Sequence, residues 1–401
     1  MISQAQWVTL KRGEFETTVY VDLIQNDARL WDGKSFRTAI ETDDHFPAEK
    51  LEQIMSELRT DPIVDPEIPV PPPPSTVCDE IAKLSLWTDF LAAIDQQSKI
   101  QDKDWEKCKG IPSDDIRKIR MFSAREKDID WEKVSEDSVL KSDKLGTDIY
   151  FVGPTSSGKS CILASLTNRL KDSGDLILSG DAGLPGTQYS NYLSMCREVS
   201  CLPDPTGKGV ALTMSMDVFH DKDSGGESVH KWNFVEMAGE RLNELQEKGE
   251  VEEINPNGWL NTGNAKIINF IIDPTYDSSS RGYLQDSLLN QAFLALKSQG
   301  VFDKTTLVNI IVNKFDLEGY PRDQWDLEAK TYVQTQFSAL VNSLKQIQYK
   351  KSLFSKKKLF EIHVIPFSIG NDFSYTRYVH SWQWESTKEM LEILKANTPH
   401  G

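Results

Sequence analysis

Gly153-Pro154-Thr155-Ser156-Ser157-Gly158-Lys159-Ser160 fits the pattern G-x-x-x-x-G-K-[ST], and its flanks supply the right context. Asp148-Ile149-Tyr150-Phe151-Val152 reads as a buried strand running into it, and Cys161-Ile162-Leu163-Ala164-Ser165-Leu166-Thr167 begins a helix running out. Strand, glycine-bearing turn and helix in that order build an anion nest. Gly153 and Gly158 let the backbone wrap closely, and the N–H groups of Thr155, Ser156, Ser157 and the residues up to Cys161 face one point. The helix N-terminus adds partial positive charge there. Lys159 is placed to reach the β- and γ-phosphates of a nucleoside triphosphate, and the Ser160 hydroxyl to ligate Mg²⁺.

Further along, Thr305-Thr306-Leu307-Val308-Asn309-Ile310-Ile311-Val312 reads as a β-branched strand. It delivers Asn313-Lys314-Phe315-Asp316 at its C-terminal end, where open α/β sheets bind ligands. N-K-x-D resembles the guanine motif of Ras-like P-loop GTPases. That resemblance implies that Asp316 accepts from N1–H and the 2-amino group of guanine, that the Lys314 stem lies over the purine, and that Asn313 ties the base loop to the phosphate loop. Two more pieces fall in the same order. The strand-like Lys231-Trp232-Asn233-Phe234-Val235 ends in Glu236-Met237-Ala238-Gly239-Glu240, which resembles D-x-x-G. In that motif the acid supports the metal and the glycine N–H meets the γ-phosphate. Glu361-Ile362-His363-Val364-Ile365-Pro366-Phe367 is a further strand, followed by Ser368-Ile369-Gly370. This is similar to the loop whose N–H groups meet guanine O6, which assigns Ser368 and Ile369 to the base. The resemblance covers Gly146 to about Asn397. It is looser to the divergent bacterial double-GTPase-like families of multi-component systems.

Three positions depart from the family pattern. Glu236 is one methylene longer than the usual Asp. Glu240 stands where Ras-like proteins often carry a water-orienting Gln, and a carboxylate near a γ-phosphate implies slow intrinsic hydrolysis. The metal-binding Thr of the first switch is expected in Leu202-Pro203-Asp204-Pro205-Thr206, before the strand Val210–Asp217. Thr206 is the first choice, with Thr187 and Thr213 as alternatives. The implied catalytic set is Lys159, Thr206, Gly239 and Glu240, with Ser160, Thr206 and Glu236 around Mg²⁺ and GTP or GDP as the nucleotide. Arg241 is either a supplier of transition-state charge or an exposed switch residue. A nucleotide-bound scaffold with vestigial hydrolysis is the alternative, favoured by Glu236 and Glu240.

Outside these motifs the chain gives coarser information. Its 401 residues carry a formal charge of −16, which argues against nucleic-acid binding. No hydrophobic run reaches the length of a membrane span. The N-terminal residues show no charged-then-apolar signal pattern and neither end a lipidation motif. Five cysteines, at 78, 108, 161, 196 and 201, show no zinc spacing and read as reduced thiols of a cytoplasmic protein. Six scattered histidines give no metal cluster.

The expected organisation is an α/β fold with a doubly wound, mostly parallel sheet over 146–401, the P-loop GTPase domain. Before it come a β-rich module (1–60), a Pro-rich linker (61–76) and a helical, charged segment (77–145). Hairpins are read around Thr17–Leu23 and the Asp32-Gly33 turn, and helices near Pro47–Arg59, Cys78–Gln97 and Ser113–Ser123. Helices near 281–298, 326–348 and 384–396 alternate with strands. The insertion 180–206, with a helix in Gly183–Ser200, and the N-terminal region are the expected surfaces for protein partners. The lysines between Lys345 and Lys358 read as a solvated loop or as a docking patch for the acidic N-terminal half.

Overall fold

The computed structural model describes residues 5–12, 15–22, 27–30, 77–96, 100–138, 140, 146–178, 183–204, 211–220, 228–242, 256–351 and 356–399. The chain divides into two compact units, Met1–Thr76 and Val77–Gly401. In the first, β1 (Ala5–Arg12), β2 (Phe15–Asp22) and β3 (Asp27–Leu30) form an antiparallel sheet in chain order. Arg12 lies opposite Phe15, and Asp22 opposite Asp27. The Asp32-Gly33 turn, the helix near Pro47–Arg59 and the segment 61–76 lie outside the described residues.

The second unit is α/β with a large, mostly parallel sheet. Its strands are β4 (Gly146–Val152), β5 (Leu176–Leu178), β6 (Ala211–His220), β7 (Ser228–Met237), β8 (Ala265–Ile272), β9 (Thr305–Val312) and β12 (Glu361–Pro366). Among the described residues they make seven strands in the order β12-β9-β8-β4-β7-β6-β5. The run from β12 to β7 is parallel, and β6 and β5 are added antiparallel at one edge. Between β9 and β12, the lysine-rich stretch forms a two-stranded hairpin of β10 (Tyr349–Lys351) and β11 (Lys356–Lys358).

Strands covered on both faces read as nearly continuous apolar runs, as Ile267–Ile272 and Leu307–Val312 do, each interrupted by one buried asparagine, Asn269 and Asn309. The period of two still sorts their side chains. Ile149 and Phe151 enter one core and Tyr150 and Val152 the other. Among the described residues five helices precede β4: α1 (Val77–Lys83), α2 (Trp87–Asp95), α3 (Asp102–Lys109), α4 (Ser113–Lys127) and α5 (Trp131–Glu136). After it run α6 (Lys159–Ser173), α7 (Gly183–Glu198), α8 (Gln285–Ser298), α9 (Trp325–Gln336), α10 (Ser338–Ile347) and α11 (Glu385–Asn397). The first core contains residues of α1–α7 and α11; the second contains those of α8–α10.

The leading helices therefore share a core with the sheet. Phe90 of α2 stacks on Tyr375 at 4.6 Å, and Trp105 of α3 meets the same ring edge-on at 5.9 Å. The single helix read over Cys78–Gln97 is two, because Leu86 is extended (φ −100°, ψ 153°) and turns Trp87 and Phe90 into the core. The helix read over 326–348 likewise breaks at Phe337 (φ −122°, ψ 42°), whose ring is buried.

The cysteine reading needs correction. Cys78 of α1 and Cys108 of α3 form a disulfide, with Cα atoms 5.3 Å apart, while Cys161, Cys196 and Cys201 are free. The two helices pack side by side and bring the thiols together, which a spacing of 30 residues does not reveal. The cytoplasmic expectation loses the support it drew from five free thiols. No helix among the described residues is long and apolar enough to cross a membrane.

At the amino ends of the central strands lies a buried polar network. The Asp148 carboxylate accepts from Lys266 Nζ at 3.0 Å, Asn264 Nδ2 at 2.6 Å, Asn233 Nδ2 at 2.8 Å and the Thr262 hydroxyl. A fully buried carboxylate is stable there because every neighbour is a donor.

Candidate functional site

The chain segments that leave β4, β7, β9 and β12 meet at the carboxyl ends of the strands. Gly153–Ser160 makes the turn between β4 and α6. Ser157 N–H donates to the Pro154 carbonyl at 3.2 Å, and Ser156 and Gly158 take positive φ of 65° and 87°. Ile162 N–H donates to the Gly158 carbonyl at 3.0 Å, which launches α6 from the loop. Lys159 is buried and folds back over the turn, its Nζ donating to the carbonyls of Gly153 and Pro154, each at 3.0 Å. Burial lowers its pKa, an effect offset by the carboxylates of Glu236 and Glu240. The Lys159 side chain is thus held at the loop.

Asn313 joins this loop to the end of β9. Its Nδ2 donates to the Ser157 carbonyl at 2.8 Å, while its backbone N–H donates to Ile272 at 2.9 Å. A Cβ on Gly158 would lie 2.2 Å from that Nδ2, so only glycine fits both the space and the positive φ. Lys314 is left-handed (φ 56°) and sends Nζ to Asp273 Oδ2 at 2.7 Å, with Ser156 O at 3.3 Å. Asp316 begins the turn beyond. Its Oδ2 is shut off from solvent and has no hydrogen-bond partner. A shielded carboxylate oxygen left unpaired is costly. The Ser368–Gly370 loop lies against the same turn through Phe315 N–H to Phe367 O at 3.1 Å. Ser368 Oγ accepts from Gly370 N at 2.9 Å, and Ile369 O from Gln383 N at 3.0 Å.

Glu236 is the penultimate residue of β7 and is buried. Its Oε1 accepts from the Ser160 hydroxyl at 2.5 Å, and its Oε2 from the Tyr189 hydroxyl of α7. Gly239 lies directly on the phosphate loop, where an added Cβ would meet Thr155 N at 2.2 Å and Pro154 C at 2.5 Å. Glu240 follows with a solvent-inaccessible Oε2 that has no hydrogen-bond partner. Burial and then the neighbouring Glu236 push the Cys161 thiol up to about 12, which disfavours the thiolate.

Each site residue read from the sequence among the described residues therefore comes to this end of the sheet. Thr206 lies outside them. Of its alternatives, Thr213 is a buried residue of β6 and Thr187 sits in α7. Sequence reasoning missed Tyr189, which carries no local signal, and Asp273, whose position just beyond the apolar run of β8 was the available clue. Asp273 Oδ1 also accepts from Thr275 N–H at 2.9 Å and from its hydroxyl at 2.7 Å.

The donor set fits Mg²⁺. Among the described residues no group of three His, Cys, Asp or Glu could hold a metal ion. A Mg²⁺ bound through one or two protein oxygens together with phosphate oxygens needs none, and Ser160 and Glu236 supply hard oxygens beside the loop.

No protein-family model and no curated protein sequence matches this chain. Solved structures similar to it include the signal recognition particle receptor SRb-GTP/SRX complex from Chaetomium thermophilum, at 15% identity and a TM-score of 0.31. That match covers 59% of this chain and 94% of the other. The S. cerevisiae Ski7 GTPase-like domain, bound to GDP and inorganic phosphate, matches at 16% identity and a TM-score of 0.28, over 63% of this chain and 49% of its own. Methanosarcina barkeri Roco2 RocCORdC bound to GDP matches at 13% identity and a TM-score of 0.27, over 66% and 55%. The chain thus spans about half the length of the latter two.

Proposed function

We propose that the chain binds GTP and GDP and hydrolyses GTP with Mg²⁺, slowly when alone, as a nucleotide-controlled switch. The observation that carries this reading is the unpaired, shielded Oδ2 of Asp316, in a turn that Asn313 fastens to the phosphate loop. Guanine presents N1–H and a 2-amino group side by side, a donor pair that a carboxylate accepts and that adenine lacks. The N–H groups of Gly153–Cys161 would receive the phosphates, Lys159 would exchange the carbonyls it now caps for phosphate oxygens, and Ser368 and Ile369 would face the base. Ser160 and Glu236, with Thr206 proposed as a third, would hold Mg²⁺. When bound, that ion supplies charge neutralisation at the bridging phosphate oxygens. Gly239, seated on Thr155, is positioned to sense whether a γ-phosphate separates the two segments.

Glu240 supports slow turnover. Its negative charge acts on Lys159, and it would compete with a γ-phosphate for that side chain. Intrinsic rates on the order of 10⁻⁴ to 10⁻² s⁻¹ are expected, with acceleration supplied by a partner. The 180–206 insertion and the N-terminal region are the proposed partner surfaces. The same Glu240 also favours the alternative of a nucleotide-bound scaffold. A competition titration tests the base: GTP should displace labelled GDP at least 10⁴-fold better than ATP, because a site built for polar pairing rejects the analogue that lacks it. Equal affinity for the two refutes the reading. Single-turnover hydrolysis of wild type and Glu240→Gln then separates switch from scaffold.

A further inference from the structure

We infer that Tyr189 is a positioning residue for the metal-supporting carboxylate, supplied by the insertion helix α7 rather than by any of the nucleotide motifs. The inference rests on the function proposed above and concerns how Glu236 is aimed.

Glu236 carries one methylene more than an aspartate and so has an additional rotatable bond. Left alone, its carboxylate could turn either oxygen toward Ser160 or withdraw along the strand. The structure brings the Ser160 hydroxyl to Oε1 at 2.5 Å and the Tyr189 hydroxyl to Oε2. Tyr189 is itself immobilised. It lies on the buried face of α7 with Tyr192, Leu193 and Cys196, at helical spacing, and is 2% exposed. Its ring meets Trp131 of α5 edge-on, with centroids 6.0 Å apart. Its hydroxyl donates to Glu236 Oε2. This phenol places a residue of α7 on the carboxylate. The result is a three-part relay, Tyr189–Glu236–Ser160, in which the phenol determines which oxygen is presented at the metal side. Partners that orient a metal-supporting ligand in this way typically contribute roughly 10- to 100-fold to metal affinity.

The test is Mg²⁺ titration of mant-GDP affinity, with excess EDTA as the metal-free arm, on wild type, Tyr189→Phe, Glu236→Gln and the double variant. Phenylalanine keeps the ring and its contact with Trp131 and removes only the hydroxyl, and thermal midpoints confirm that the variants fold. Tyr189→Phe should raise the Mg²⁺ concentration for half-maximal tightening by roughly tenfold or more, with the EDTA affinity within about twofold of wild type. In the Glu236→Gln background the same change should have little further effect, because the oxygen it served no longer carries the charge. A Mg²⁺ titration of Tyr189→Phe that superimposes on wild type overturns the inference and leaves the nucleotide reading intact. Equal loss of affinity in Mg²⁺ and EDTA also overturns it, since that marks a purely structural tyrosine. A wild-type chain that binds no mant-GDP in either arm refutes the nucleotide reading and this inference with it.

Discussion

Asp316→Asn separates the stability of the fold from its proposed ligand, because the two should respond with different signs. Asp316 Oδ2 is shielded from water and has no donor among the described residues. The wild-type fold therefore carries the cost of part of a desolvated carboxylate, about 1–3 kcal/mol for an unsatisfied buried group. The neutral amide relieves the charge without removing any hydrogen bond made by Oδ2. The thermal midpoint of the nucleotide-free variant should thus be equal to or above that of wild type. Guanine binding should move the other way. Two hydrogen bonds to a charged acceptor, at about 1.5–3 kcal/mol each, correspond to a loss of roughly 10²- to 10⁴-fold in GDP affinity. Xanthosine diphosphate, with a 2-oxo group in place of the amine, suits the amide donor and should bind the variant better than it binds wild type. Calorimetric titration with both nucleotides, beside thermal melts of the same nucleotide-free samples, measures all three quantities. A variant that keeps wild-type affinity for GDP, or loses it only as its midpoint falls, refutes the assignment of Asp316 to the base.

Other perturbations test the geometry around the site. Gly158→Ala and Gly110→Ala share a positive φ, but only the first places a Cβ against another atom, 2.2 Å from Asn313 Nδ2. The Gly110 variant should lose about 1–2 kcal/mol of stability from backbone strain, and Gly158→Ala should lose more and also weaken nucleotide binding; equal denaturation midpoints would refute the claimed tie. Arg377 pairs with Glu126 and Asp204 at 2.8 Å each with only 9% of its side chain exposed, so Arg377→Ala should cost about 3–5 kcal/mol in urea denaturation. Arg377→Ala combined with Glu126→Gln should recover part of that loss, because no buried charge is then left without its partner. His363 on β12 has its pKa lowered below 6.5, chiefly by burial. The unfolded chain then binds the proton more readily, so stability should fall as pH drops from above 6.5 toward the lowered value. The thermal midpoint of His363→Asn should fall less than that of wild type over that interval.

The parts of this fold legible in the sequence are those whose determinants are local. Gly153–Ser160 dictates its own turn, and the β-branched run Thr305–Val312 dictates a strand that ends at Asn313. The doubly wound sheet follows from strands and helices in alternation. What stayed hidden depends on tertiary contact. Asp148 sits within an apolar run, and only the folded sheet brings Lys266, Asn264 and Thr262 to its carboxylate. The breaks at Leu86 and Phe337 interrupt good helical patterns because burying Trp87 and Phe337 outweighs continued helix. Tyr189 is indistinguishable in sequence from Tyr192 three residues later, yet one reaches Glu236 and the other Glu126. The Cys78–Cys108 disulfide depends on the packing of α1 against α3, which no spacing rule anticipates.

The stretch 205–210, which contains Thr206, is flanked by residues that the leading helices grip. On one side, Asp204 N–H donates to the Tyr192 hydroxyl at 2.6 Å, Tyr192 donates to Glu126 of α4 at 2.8 Å, and Arg377 bridges the Asp204 and Glu126 carboxylates. On the other, Ala211 N–H donates to Ser135 Oγ of α5 while that hydroxyl donates to the Ala211 carbonyl, both at 2.9 Å. A shift of either flank breaks a part-buried ion pair or exposes the first pairing residue of β6. The helices of 113–136 therefore raise the cost of moving the ends of this segment, and the same α5 supplies Trp131 against Tyr189. Under the proposed function, metal support through Glu236 and the hold on Ala211 share one neighbour in α5. A partner that displaced α5 would act on both at once without touching the phosphate loop.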